Sequence, residues 1–300
     1  MRGTNRRILG VQAACLFFLS WAAAAQEPLL DVVRSLEGKE NAERVETAKE
    51  FLENAGLSPQ LQPFESEAAG QELSGTNVVL RIEGTETALA PLVIGAHIDT
   101  SLLRGSDGWS PGASDNASGS TVVMHLAKSL AAAPLRHSVD VLLFDLEEWG
   151  FLGSRHYVGT LQSKPAAMVN VDIGTSGRTI AYGPSFAPGN EALYAVAKTV
   201  CSDQEECLSF RLYPPSDERS FQAAKIPNIS FAVLPRVEAH QLWLRLNGGQ
   251  ESGLEEGFLP AVANRIHTAD DTSDHVEEDS LATLLDYLDR YVRLLDTEID

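Results

Sequence analysis

The chain has 300 residues, with 23 Lys and Arg against 42 Asp and Glu and a formal net charge of −19. So acidic a chain is a poor ligand for nucleic acid or for an anionic membrane surface. Its length suits one large α/β domain or two small ones, and no internal repeat or low-complexity linker divides it.

The opening stretch, MRGTNRRILGVQAACLFFLSWAAAAQEP, runs from basic (Arg2, Arg6, Arg7) through apolar to small residues. That is the plan of a secretory signal peptide, expected to be cut after Ala25. The apolar run is too short and too close to the small residues for a membrane span. The expectation is a signal peptide over 1–25, one domain over 26–300, and an exported protein without membrane contact in its mature form. Losing the leader leaves 20 basic against 42 acidic residues, a net of −22. Cys15 leaves with it, and Cys201 and Cys207 are expected to pair in an oxidising compartment.

Val45, Ala48, Phe51, Leu52 and Ala55 are spaced for a helix over 41–55, with Gly56 as its stop. TNVVLRIEG (76–84) reads as a strand and APLVIGAH (90–97) as a buried one. A helix is predicted over 115–134, opened by Asp115-Asn116 and closed by Pro134. SVDVLLFDL (138–146) and AAMVNVDIG (166–174) are further buried strands, followed by a helix over 189–200 and a strand over 226–233. Residues 235–265 read as a loop with a short helix, placed to wall a pocket. A helix over 279–295 follows. Apolar strands alternating with helices predict an α/β fold, a mixed and largely parallel central sheet covered on both faces.

Polar residues cluster where these strands end. PLVIGA is followed by His97 and Asp99, VDVLLFDL by Glu147 and Glu148, and AMVNV by Asp172. In an open α/β sheet, ligands bind outside the carboxyl ends of the strands. Asp115, in a Gly/Ser-rich loop leading into a helix, and His267, in RIHTADDTSDHV, add two more groups. So many carboxylates on one edge need neutralising. Asp115, Glu148 and Asp172 carry −3, which a pair of Zn²⁺ would offset, and imidazole and carboxylate are ordinary zinc ligands. One of the adjacent glutamates can then hold metal while its neighbour stays free as a base.

Taken in order, His97-Ile-Asp99, Ser114-Asp115-Asn116-Ala-Ser-Gly, Glu147-Glu148, Asn170-Val-Asp172 and His267 with Asp271 resemble the co-catalytic zinc exopeptidases of the M28 aminopeptidase family. The resemblance implies two zinc ions per chain, one on His97 and Asp172, the other on Glu148 and His267, with Asp115 bridging. It also implies that Glu147 is the general base, that Asp99 orients His97, and that the substrate is a peptide or aminoacyl compound. The chain departs from the family where Ser-Asp-His is often found, since here Glu218 follows Ser216-Asp217. Asp217 and Glu218 are candidates for recognising the substrate ammonium.

The competing readings are a carboxypeptidase of the same family, a single-zinc glutaminyl cyclase and a non-catalytic binding module. The first needs a cation for the substrate carboxylate, and Arg211, Arg219 and Arg236 are available. The cyclase motif lacks the Asn-Ala-Ser-Gly run. Retention of all five candidate ligands and the base speaks against a binding module. No GxSxG elbow, GxGxxG or P-loop is present.

Overall fold

The computed structural model describes residues 27–103, 108–184, 189–201 and 206–299. The expected signal peptide lies outside the described residues. Among these, no helix is long and apolar enough to cross a membrane.

Helices α1 (Leu29–Leu36) and α2 (Asn41–Asn54) open the fold and lead into a hairpin of β1 (Gln60–Ala68) and β2 (Gln71–Ile82). Then β3 (Leu92–His97), α3 (Ser118–Ala132), β4 (Val139–Phe144), α4 (Leu152–Thr160) and β5 (Ala167–Gly174) build the centre. They are followed by β6 (Thr179–Gly183), α5 (Glu191–Val200), β7 (Glu206–Ser209), α6 (Glu218–Ala223) and β8 (Asn228–Leu234). Helices α7 (Arg236–Asn247), α8 (Ala261–Arg265) and α9 (Glu278–Glu298) come last.

The eight strands form one sheet in the order β1-β2-β4-β3-β5-β8-β6-β7. Its centre, β4-β3-β5-β8, is parallel, while β1 and β2 pair antiparallel, as do β2 with β4 and β6 with β8. The chain leaves β3 for β4 on one side and returns to β5 on the other. The carboxyl end of β3 is therefore a topological switch point, where such sheets open a crevice.

Strand alternation assigns the two faces. Ile94, Ala96, Val141, Leu143, Val169 and Val171 pack with α1, α2, α3, α5 and α9 in one core. Val93, Leu142, Phe144 and Met168 point the other way, onto Tyr157 of α4 and Phe221 of α6. The two-residue period of a strand makes each central strand apolar on both sides. The expected single α/β domain with a mixed sheet covered on both faces is what forms.

Two local features differ from the sequence reading. Residues 235–265, expected to be mostly loop, contain the 12-residue α7, which turns Leu242, Trp243 and Leu246 toward Ala181 and Phe210. The polar β1, not foreseen, is held by its backbone ladder to β2 and buries only Phe64.

Candidate metal and catalytic site

His97 ends β3 with its ring 1% exposed. Its Nε2 lies 3.1 Å from Asp115 Oδ1 and 3.4 Å from Asp172 Oδ1. His267 Nε2 lies 3.0 Å from Asp115 Oδ2 and 3.1 Å from Glu148 Oε1. Asp115 thus offers one carboxylate oxygen to each imidazole. The seven residues singled out in the sequence meet at the switch point, although their positions span residues 97 to 267.

Local structure explains each placement. Asp99, fully buried, accepts the backbone N–H of Glu147 on Oδ1 at 3.1 Å and that of Glu148 on Oδ2 at 3.2 Å, and its Oδ1 is 3.3 Å from His97 Nδ1. It therefore ties the β3 end to the β4 end as well as facing the imidazole. Asp172 sits where the β5 register shifts between Val171 and Gly174, and Ile173 beside it has φ +73°. A bulge re-aims side chains at such points.

Asp115 stands in one wide turn, Ala113–Ala117, ahead of α3. The carboxylate of Asp271 accepts the N–H groups of Ser114 and Asp115 at 2.9 and 3.1 Å. Asn116 donates to Val171 O and accepts from Gly119 and Ile173 N–H, lashing this turn to β5. A Cβ on Gly119 would come within 2.3 Å of Asn116 Oδ1, so this close approach requires glycine. Ser120 Oγ donates to His97 O at 2.7 Å. The Asn-Ala-Ser-Gly-Ser run thus positions the ligand-bearing loops.

One supporting residue was missed in the sequence. Arg44 of α2 has no exposed surface, and its guanidinium donates to the carbonyls of Lys39, Ile98, Pro111 and Gly112. It clamps the segment after His97 to the segment before Asp115. Gly112, at φ +63°, makes room, because a Cβ there would lie 2.5 Å from Arg44 Nη2. The signal was present, since position 44 falls on the same helical stripe as Ala48 and Leu52.

The cavity has a volume of about 280 Å³. Besides the polar groups, Phe151, Ile173, Pro214, Pro215 and Ile266 line it. Residues 235–265, expected to form a wall, are not in its lining; Ala239 and Val262 pack behind the wall residues Ile173 and Ile266, in one cluster with Ala181 and Ala232. Asp217 and Glu218 do not line it either. Both are buried; Glu218 Oε2 accepts the Ser216 N–H and the Ser230 hydroxyl and so faces β8, whereas the Asp217 carboxylate lies close enough to His97, Asp99 and Asp172 to feel their charges. Three residues of the lining, Phe151, Ile173 and His267, have φ between +62° and +73°, a region costly for non-glycine residues and favoured at functional sites.

The electrostatics call for positive charge. Burial disfavours the charged form of His97, but the carboxylates of Glu147, Asp115, Asp172 and Asp99 hold its pKa well above the ordinary value. Hydrogen bonds to Asp115 and Glu148 push His267 up to about 10. Burial, reinforced by Asp115, lifts Glu148 to about 7, and burial also pushes Glu147 well up.

A divalent cation suits this donor set. His97, Asp115 and Asp172 form one group of convergent ligand atoms, and Asp115, Glu148 and His267 a second. Contacts of 3.0–3.4 Å between the donors lie at or a few tenths of an ångström below the edge of about 3.3–3.4 Å of a tetrahedron with zinc-range bonds of about 2.0–2.1 Å. Apart from the imidazoles that face them, Glu148 Oε1 and Asp172 Oδ1 are buried with no hydrogen-bond donor among the described residues, as ligand oxygens would be.

A strand-end donor set of this kind on a mixed α/β sheet is that of a metal-dependent α/β enzyme. Residues 77–292 match the family model Peptidase family M28, and the chain belongs to that family of zinc peptidases. Aminopeptidase YwaD of Bacillus subtilis is 43% identical over 56 residues, 19% of this chain and 12% of that protein. BSAP, a zinc aminopeptidase from Bacillus subtilis, superposes with a TM-score of 0.56 at 22% identity, covering 75% of this chain and 50% of that one. Porphyromonas gingivalis glutaminyl cyclase superposes with a TM-score of 0.67 at 20% identity, covering 88% of this chain and 96% of that one. The matches thus span half or less of the two aminopeptidases' lengths. At these identities the structural likeness establishes the fold alone.

Proposed function

We propose that this chain is an exported di-zinc aminopeptidase that removes N-terminal residues from peptides. The observation that carries the reading is the division of Asp115, whose two oxygens face two separate imidazoles at 3.1 and 3.0 Å. A shared carboxylate between two ligand groups suits two ions rather than one. His97 and Asp172 would hold the first and Glu148 and His267 the second. Zinc, when bound, supplies Lewis acidity toward the scissile carbonyl and offsets developing negative charge.

The remaining roles belong to the chain itself. Glu147 faces the cavity but is in neither ligand group. Its carboxylate oxygen accepts a proton from the attacking water and returns it to the leaving amine. Asp99 fixes the backbone under both glutamates and faces His97 Nδ1, which leaves Nε2 for metal. The acidic lining attracts the substrate ammonium, and Phe151, Ile173 and Ile266 accept an apolar first side chain. Export is supported by the leader-like residues 2–25 and by the bonded Cys201–Cys207 pair.

The test is a panel of aminoacyl 4-nitroanilides and N-terminally blocked peptides, run with zinc analysis of the protein. Two zinc ions per chain and release of unblocked N-terminal residues are expected. One ion with pyroglutamate as product would make the protein a cyclase, and cleavage of N-blocked peptides from the carboxyl end would make it a carboxypeptidase. Sequencing the exported protein's first residues tests the leader, with Gln26 the expected start.

A further inference from the structure

We propose that the groove between α4 and α6 binds the C-terminal carboxylate of the substrate, so that the enzyme is tuned to free di- and tripeptides. This rests on the peptidase reading above. The groove, of about 340 Å³, is lined on one side by Phe151, Arg155 and Val158 and on the other by Arg219, Ser220 and Ala223. Phe151 is also a wall of the catalytic cavity, so the two spaces adjoin at that side chain.

The charge of the groove is opposite to that of the cavity. Among the described residues no acidic one lines it, in a chain where acids outnumber bases 42 to 23. Arg155 is exposed and makes no ion pair among the described residues. Arg219, with its side chain 40% exposed, has Nε 3.5 Å from Glu218 Oε1 and donates from Nη1 to Gln222, leaving Nη2 without a partner among the described residues. Guanidinium groups match a carboxylate in shape as well as charge. The two helices are joined by the 2.8 Å contact between Ser154 and Ser220 hydroxyls, which fixes the separation of the arginines' backbones.

The spacing suits a short peptide. Arg155 lies four residues after Phe151, about one helical turn or 6 Å along α4. An extended residue spans about 3.3–3.6 Å. Counted from Phe151, where cavity and groove meet, one or two extended residues therefore bring a carboxylate to Arg155 while the scissile bond stays beside Glu147. A zwitterionic di- or tripeptide matches the opposite charges of cavity and groove. Neither Arg211 nor Arg236 lines the cavity or the groove, and Arg236 is engaged by Glu206 at 3.2 Å.

The experiment compares kcat and KM of the zinc-loaded enzyme on di- and tripeptides and on their C-terminal amides, for wild type, Arg155→Ala, Arg155→Lys and Arg219→Ala. Charge-assisted hydrogen bonds predict a preference for free acids of about tenfold or more in kcat/KM, carried mainly by KM. Arg155→Ala should lower kcat/KM for the acids at least about fivefold more than for the amides. Arg155→Lys should restore part of the difference, and Arg219→Ala should act in the same direction as Arg155→Ala. Equal turnover of acids and amides by wild type, or an equal loss on both in Arg155→Ala, overturns the groove and leaves the peptidase standing. Hydrolysis of neither series overturns both.

Discussion

Glu147 and Glu148 are adjacent and both buried deeply enough to be pushed toward neutrality, but they differ in what they face, and the proposed function gives them different tasks. Only Glu148 reaches an imidazole of the ligand groups. Glu148→Ala should therefore lose metal as well as rate. Glu147→Gln should keep its zinc and its fold while kcat falls on the order of 10²–10⁴-fold, the usual range for loss of a general base. Zinc stoichiometry and kcat on both variants decide the matter, and a zinc-free Glu147→Gln beside a zinc-replete Glu148→Ala reverses the roles. Arg44 makes a second case. Arg44→Met would strand buried carbonyls at both ligand-bearing segments. With about 1.5–3 kcal/mol per hydrogen bond to a charged group, unfolding by urea should show a loss of at least about 3 kcal/mol, together with weaker zinc binding. A variant as stable as wild type would refute the clamp. The candidate ligands His97, Glu148 and Asp172 were legible in the sequence because they follow apolar strands, while Asp115 and His267, which do not, were legible through the family resemblance. Arg44 was not, because charged residues on a helix are read as facing solvent unless the stripe is traced through them.

Elements were legible to the extent that their burial is periodic. The central strands and α2, α3, α5 and α9 followed from their apolar pattern. Helix α7 did not, because Leu242, Leu244 and Leu246 alternate as a strand would while Ala239, Leu242, Trp243 and Leu246 repeat as a helix does. Strand β1 was hidden by polar residues on both faces, since its ladder to β2 needs no apolar side chains. Two elements carry predictions. Near the end of α9, Asp296 accepts the N–H groups of Arg136 and His137 at 2.9 Å each, and His137 Nδ1 at 2.8 Å. Burial would raise its pKa, but these hydrogen bonds override it and hold it below 3.8. A depressed carboxylate stabilises the fold above its unfolded pKa and loses that contribution as pH falls through the folded one. Asp296→Asn should lower stability at pH 7 by about 1–3 kcal/mol, and the difference from wild type should shrink below about pH 3.8. A gap that persists at low pH would rule the carboxylate out as its source. The bonded Cys201–Cys207 closes a loop with a sequence separation of 6. By chain entropy its reduction should cost no more than about 3 kcal/mol, read as a shift in the urea midpoint on adding reductant.

At the scale of the whole molecule, the acidic site is built into the centre of the sheet, so its neutralisation is coupled to the stability of the fold. Metal that binds only the native state stabilises it in proportion to the logarithm of its free concentration. Chelation should abolish hydrolysis and lower Tm, with both restored by Zn²⁺, and an unchanged Tm after verified metal removal would break the coupling. The net charge of −19 adds diffuse repulsion that salt should relieve, in contrast to the buried cluster. Helix α9 binds the molecule's two ends together. It buries Leu281, Leu284, Leu288 and Leu295, packs on α1, α3 and α5, and through Glu278 accepts the N–H groups of Leu29 and Leu30 that open α1. That closure has a consequence for the order of synthesis. A ribosome delivers α1 first and α9 after every other described element, so the faces of α1, α3 and α5 that α9 covers wait for the last described helix. The nascent chain cannot lock shut behind itself. Completion of the core therefore waits on the last described helix to be made.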